Sequence, residues 1–150
     1  MREPCVPVVF ALKESLCATR FSSAGQFRHF TNDGTRMEAV FVTIEELKTV
    51  MNSIAICSID TEVEIITFEV MSDHIHFLLE GELSDCYAFV NRLKHKLMNH
   101  YSRAGRTVDW RPFVFDSPIR IQDLRMLRNE IAYINRTCSH QPAVKSFRGL

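Results

Sequence analysis

"MSDHIHFLLEG", residues 71–81, is the stretch on which the reading of this chain turns. The segment "HIHFLLE" (74–80) has the apolar, β-rich character of a strand, and Gly81 ends it. Successive side chains of a strand point to opposite faces, so His74 and His76 share one face while Ile75 and Phe77 share the other. With Ile75 and Phe77 in the core, the two imidazoles face outward together, within reach of one ion. Neutral imidazole offers a nitrogen lone pair near physiological pH, which makes the pair a workable set of metal ligands. Two histidines exposed by chance on a strand edge are the bland counterpart of that reading.

The flanking sequence surrounds this strand with others. Upstream, "EVEIITFEVM" (62–71) alternates and is rich in β-branched residues, so it reads as a strand joined to the next by the polar break Ser72–Asp73. "QFRHFT" (26–31) also alternates, "NDG" (32–34) supplies a turn, and "RMEAVFV" (36–42) reads as a further strand. "TIEE" (43–46) is a capping box, opening a helix with Ile44, Leu47, Val50, Met51 and Ile54 on one stripe. Ser84 and Asp85 are candidate caps for a second helix, a short strand is expected through "FVF" (113–115), and Asp123 opens a last helix bearing Leu124, Leu127, Ile131 and Ile134. The order predicts an α+β domain with an antiparallel sheet and helices packed on one face. Residues 26–150 form a single domain in this reading, and residues 1–25, which include a helix-compatible stretch after Pro7, form an N-terminal extension of unassigned role.

Composition narrows the class. The chain has 150 residues, enough for one core, with 46% hydrophobic and 24% charged residues. No apolar run reaches the roughly 20 residues of a membrane span, and the N-terminus does not read as a secretory signal. Five scattered cysteines without a C-x-x-C pair suggest reduced thiols and a cytoplasmic location, with Cys57 in the core. Net charge is zero, yet residues 1–90 hold six Lys/Arg against fourteen Asp/Glu and residues 91–150 hold twelve against four. A basic C-terminal part suits a polyanion such as nucleic acid; mutual neutralisation of the two halves is the alternative.

Other chemistries lack their signatures. There is no H-E-x-x-H, no P-loop, no G-x-G-x-x-G and no G-x-S-x-G elbow. The last helix, "DLRMLRNEIAYINRT", carries Tyr133 among Arg125, Arg128 and Arg136. Tyrosine serves as a covalent nucleophile once a metal polarises its electrophile. Tyr87 and Tyr101 compete for that role, and plain packing competes with it. Arg92, Lys94, Lys96, Arg103 and Arg106 run through a stretch nearly free of acids and read as DNA-phosphate contacts or as a solvated face. Trp110 and Phe113 suit either base stacking or loop anchoring.

Taken in order, these segments resemble the single-tyrosine HUH transposases of the REP-associated and insertion-sequence type. "TFEVMSDHIHFLLEG" resembles the metal-site strand of that family, with Ser72 and Asp73 standing where Pro and Asn are usual. "AVFVTIEELKTVMN" resembles its capped helix, "FVNRLKHKLMNHYSRAGR" its basic helix, and "LRNEIAYINRT" its nucleophile helix, with Tyr133 falling 57 residues after His76. The resemblance implies a ferredoxin-like fold and metal-dependent cutting and rejoining of single-stranded DNA near hairpins. It further implies that His74 and His76 hold Mg²⁺ or Mn²⁺ and that Tyr133 forms a 5′-phosphotyrosine link. Family members often dimerise; the sequence leaves open whether this chain is a homodimer. Thr137 stands where the family usually has an amide ligand four residues after the tyrosine, so Asn135 and Asp73 are alternatives for the third ligand. That departure supports a second reading, a hairpin-DNA-binding module that keeps the fold without efficient cleavage.

Overall fold

The computed structural model of the chain describes residues 6–8, 26–115 and 117–137. The helix-compatible stretch before residue 20 and Cys5, Cys17 and Cys138 lie outside them. Five strands form an antiparallel sheet: β1 (Val6–Val8), β2 (Phe27–Thr31), β3 (Glu64–Val70), β4 (Ile75–Glu80) and β5 (Ile119–Arg120). Their spatial order is β1-β3-β4-β2-β5, with β4 inserted between β2 and β3. Helix α1 (Ile44–Ile59) links β2 to β3, α2 (Leu83–Arg103) links β4 to β5, and α3 (Leu124–Thr137) follows. From β2 to β5 this is the split β-α-β-β-α-β order of a ferredoxin-like fold.

The register explains both faces of the sheet. Phe68, Phe77 and Phe30 stand opposite one another across β3, β4 and β2. All three are buried in the larger core, with Leu47, Val50 and Ile54 of α1 and Phe89, Leu93 and Leu97 of α2. Side chains alternate, so the next row, Glu69, His76 and Thr31, must face the other way. That second face is also covered: Leu127 and Ile134 of α3 pack on Phe27, Ile66, Leu78 and Ile121. The α+β class and antiparallel sheet agree with the sequence reading. The helices, however, occupy both faces, two on one side and α3 on the other, because α3 presents its own apolar stripe to the residues that alternate away from the main core.

Several local expectations change for identifiable reasons. Thr43 caps α1 by accepting from the Glu46 N–H at 3.2 Å, while the Glu46 carboxylate accepts the Thr43 N–H at 2.9 Å, as the capping box requires. Helix α2 instead starts after Glu82, which makes no side-chain cap, and neither Ser84 nor Asp85 serves as its N-cap. Asp123 does cap α3, its Oδ1 accepting from the Met126 N–H at 2.7 Å. Residues 36–42 are not a strand. A 3₁₀ turn occupies Gly34–Arg36, and the N–H groups of Val40 and Phe41 both donate to the Ser72 carbonyl, at 2.7 and 2.9 Å. The Val40 and Ala39 carbonyls are taken by Tyr101 and Arg106, which leaves no ladder for a partner strand. Likewise "FVF" supplies only a single bridge, Phe115 to Asn32.

Candidate active site

Two strands and one helix build the site. His76 projects from β4 toward α3, and His74 lies one residue before the strand. His29 of β2 is its diagonal cross-strand neighbour, since His29 pairs with Leu78 and His76 with Thr31. The result is a chain of hydrogen bonds. His29 Nε2 lies 2.9 Å from His76 Nδ1, and His29 Nδ1 lies 2.7 Å from Glu130 Oε2 of α3. His74 Nδ1 is 2.5 Å from Asp73 Oδ1, and the His74 and His76 rings are 5.0 Å apart in an edge-on arrangement. The ring of Tyr133 completes the group, 6.0 Å from the His76 ring and 6.2 Å from that of His29.

The entrance to β4 is held by Asn32. Its Oδ1 accepts from the Ile75 N–H at 2.9 Å and its Nδ2 donates to the Asp73 carbonyl at 3.2 Å. Gly34 presses against the same corner: a Cβ there would stand 2.7 Å from His74 Nδ1 and 2.9 Å from Asp73 Oδ1. These two atoms are bonded to each other, so neither side chain moves without its partner. Gly34→Ala is expected to displace the His74–Asp73 pair and leave the fold intact. The His74 side-chain NMR signals, with circular dichroism for the fold, read this directly; unmoved signals would show that the corner accommodates the added methyl group.

His76 is only 7% exposed, so it does not face solvent as the strand pattern predicts; α3 lies over it. Burial, with smaller contributions from His74 and His29, pushes its pKa down to about 3. Burial also lowers His29, outweighing the Glu130 carboxylate that raises it, and both rings are therefore neutral at pH 7. The unfolded chain takes up the His76 proton near pH 6.5 and the folded chain does not until about pH 3. Stability from this group is thus full above pH 6.5 and falls as pH drops toward 3. Between pH 7 and pH 5 the loss is expected to be about 2 kcal/mol. Urea unfolding with a chelator present measures it, and His76→Gln should flatten the dependence by that amount.

Residues 35–117, more than half of the chain, match the family described as IS200-like transposase. The chain belongs to the IS200-like transposase family. The matched span contains His74 and His76 and stops before Tyr133. Among solved structures, the chain is similar to a REP-associated tyrosine transposase bound to a REP hairpin, with 17% identity and a TM-score of 0.52. That match covers 73% of this chain and 63% of the other, so the chain spans less than two thirds of the structure it resembles. A crystal structure from Deinococcus radiodurans R1, provisionally assigned as a transposase, matches at 12% identity and a TM-score of 0.48, covering 76% of this chain and 89% of that one. Comparison with curated proteins gives no match.

In this family member the structure brings His74, His76 and Tyr133 together within one chain, and it separates them from the basic helix. Arg92, Lys94, Lys96 and Arg103 lie on α2, whose apolar side packs on the opposite face of the sheet. Arg92 pairs with Asp60 at 2.8 Å, and Lys96 and Arg103 line a groove with Ser53, Asn99 and His100. Arg106 is committed to structure: it donates to the Val40 and Ala39 carbonyls, pairs with Glu46 and lies over the Tyr101 ring. Of the competing tyrosines, Tyr101 is buried, donates to the Val40 carbonyl at 2.6 Å, and burial pushes its pKa up to about 12. Tyr87 packs edge-on against Phe30 in the main core. Tyr133, by contrast, is 53% exposed on the histidine side. Trp110 and Phe113 are core anchors, in edge contact with each other and, for Trp110, with Tyr101.

For the third ligand, Asp73 already engages His74 through Oδ1, and Asn135 sits about 160° around the helix from Tyr133. The side chain of Thr137 lies outside the described residues. His29 and Glu130 carried no motif. The alternation in "QFRHFT" places His29 on one strand face, but only the β2–β4 register, set by tertiary packing, brings it beside His76.

Proposed function

We propose that this chain cuts and rejoins single-stranded DNA near hairpins, using Tyr133 as nucleophile beside His74 and His76. The observation that carries the reading is the position of an exposed tyrosine ring 6.0 Å from the second histidine of a His-x-His pair, on a helix packed over the same sheet face. The donor set suits a divalent cation: both imidazoles have Nδ1 engaged by a hydrogen bond, which leaves Nε2 for a metal. Among the described residues no cluster of three His, Cys, Asp or Glu is arranged to hold one, and this reading rests on His74 and His76 as ligands. A bound Mg²⁺ or Mn²⁺ would neutralise charge on the scissile phosphate and make its phosphorus more electrophilic.

The protein's part is positional. Helix α3 holds the phenol of Tyr133 above the histidines, where its oxygen forms a bond to phosphorus as the bond from phosphorus to the 3′ oxygen breaks. The phenolic proton ends on the departing 3′-hydroxyl, and the 5′ phosphate stays on the tyrosine. The phosphotyrosine ester keeps the bond energy of the diester, so a 3′-hydroxyl can reverse the step without a nucleotide cofactor. Arg125, Arg128 and Arg136 make α3 a basic element on the histidine side, suited to the phosphates flanking the cut. Arg92, Lys94, Lys96 and Arg103 would hold a second segment of DNA across the opposite face, with Arg106 bracing the loop beneath them.

Thr137 and Ser72, which depart from the residues usual at those positions, favour one further reading, a hairpin-binding module with little cleavage. Incubation with end-labelled hairpin DNA and Mn²⁺, resolved on a denaturing gel, separates the two. The strand-transfer reading gives a metal-dependent nick that is lost on chelation and in His74→Ala and His76→Ala. Salt-sensitive binding without a nick would establish the module instead.

A further inference from the structure

Beyond the residues that the motif supplies, we propose that Glu130 and His29 are positioning residues that fix the tautomer of His76, so that its Nε2 carries the free lone pair. This rests on the metal-site reading above but concerns different atoms. A carboxylate only accepts hydrogen bonds, so the 2.7 Å contact to Glu130 requires His29 Nδ1 to donate. In a neutral ring His29 Nε2 is then an acceptor. The 2.9 Å contact from that atom to His76 Nδ1 therefore requires His76 Nδ1 to carry the hydrogen. What remains on His76 is Nε2, unprotonated and able to bind a cation. Asp73 does the same for His74 in one step, since its Oδ1 accepts from His74 Nδ1 at 2.5 Å. Both imidazoles are thus set alike, one by an adjacent carboxylate and the other by a carboxylate acting through a third ring.

The arrangement also excludes His29 as a ligand in its present position, because both of its nitrogens are engaged within the relay. It binds two parts of the site together as well. Glu130 lies one helical turn before Tyr133 on α3, so the Glu130–His29 bond that sets His76 also fixes the height of the tyrosine over the β4 strand. His29 and Glu130 are well enclosed, with side chains 5% and 21% exposed, so water competes little for these bonds.

Long-range ¹H–¹⁵N correlation spectra of the metal-free, full-length protein at neutral pH test the proposal without reference to activity. The expected spectrum shows His76 with a protonated Nδ1 and an unprotonated Nε2, in wild type and in Tyr133→Phe alike. In Glu130→Gln, whose amide can donate as well as accept, the His76 signals should become those of mixed tautomers, and Mn²⁺ affinity should fall by about 10- to 100-fold. His29→Gln, which can still accept from His76 Nδ1, should recover most of the affinity that His29→Phe loses. A wild-type His76 protonated on Nε2 overturns the proposal, as does Mn²⁺ affinity indifferent to both Glu130→Gln and His29→Phe. The expected tautomer in a protein that binds no Mn²⁺ would uphold the relay while removing the metal site it was argued to serve.

Discussion

Tyr133→Phe is expected to abolish strand cleavage, by on the order of 10³-fold or more, while hairpin binding and folding stay close to wild type. The substitution removes one oxygen and keeps the ring that packs 6.0 Å from His76 and 6.2 Å from His29. Tyr133 is half-exposed and lies outside the buried core, so the fold does not depend on it as it does on the core aromatics. Loss of nicking with retained binding therefore isolates the nucleophile from the scaffold. Equal loss in Tyr101→Phe would carry no such meaning, since that hydroxyl holds the Val40 carbonyl and its removal disturbs the loop against α1. Cleavage that survives in Tyr133→Phe would move the chemistry elsewhere.

The largest effect on stability is expected from Phe77→Ala, at about 3–5 kcal/mol in urea unfolding. Phe77 is fully buried at the centre of the sheet, flanked by Phe30 and Phe68 on the neighbouring strands and in ring contact with Phe89 and Phe115. Removing it opens a cavity that three strands and α2 cannot close together. Such a loss is a large share of the roughly 5–15 kcal/mol that holds a domain folded. It also bears on function, because His76 is the preceding residue and its orientation follows from the pleat that Phe77 anchors on the other side.

Local rules carried much of the fold. The alternation of "HIHFLLE", the Thr43–Glu46 box and the Asp123 cap are properties of a few consecutive residues, and each element stands close to where those residues place it. Residues 36–42 show where such rules end. Their composition suits a strand, but the backbone bonds go to Ser72, Tyr101 and Arg106, all distant in sequence. The candidate site divides along the same line. His74, His76 and Tyr133 could be picked out by residue type and spacing, whereas His29 and Glu130 become visible only through strand register and helix docking, 101 residues apart. Burial of His76 escaped for a related reason: a strand face reads as outward until the helix that covers it is placed. The basic helix α2 was legible as a charge run, but which face of the sheet it lay on was not.

The most direct measurement is peptide mapping of the covalent product. The protein is incubated with single-stranded hairpin DNA and Mn²⁺, denatured, treated with nuclease and protease, and examined by mass spectrometry. The expected product is the α3 peptide containing Tyr133 with a nucleotide 5′-phosphate on its phenolic oxygen, absent when metal is chelated. A nucleotide on Tyr87 or Tyr101, or hairpin DNA cut with no protein-linked phosphate, would contradict the proposal that Tyr133 is the nucleophile of a strand transferase.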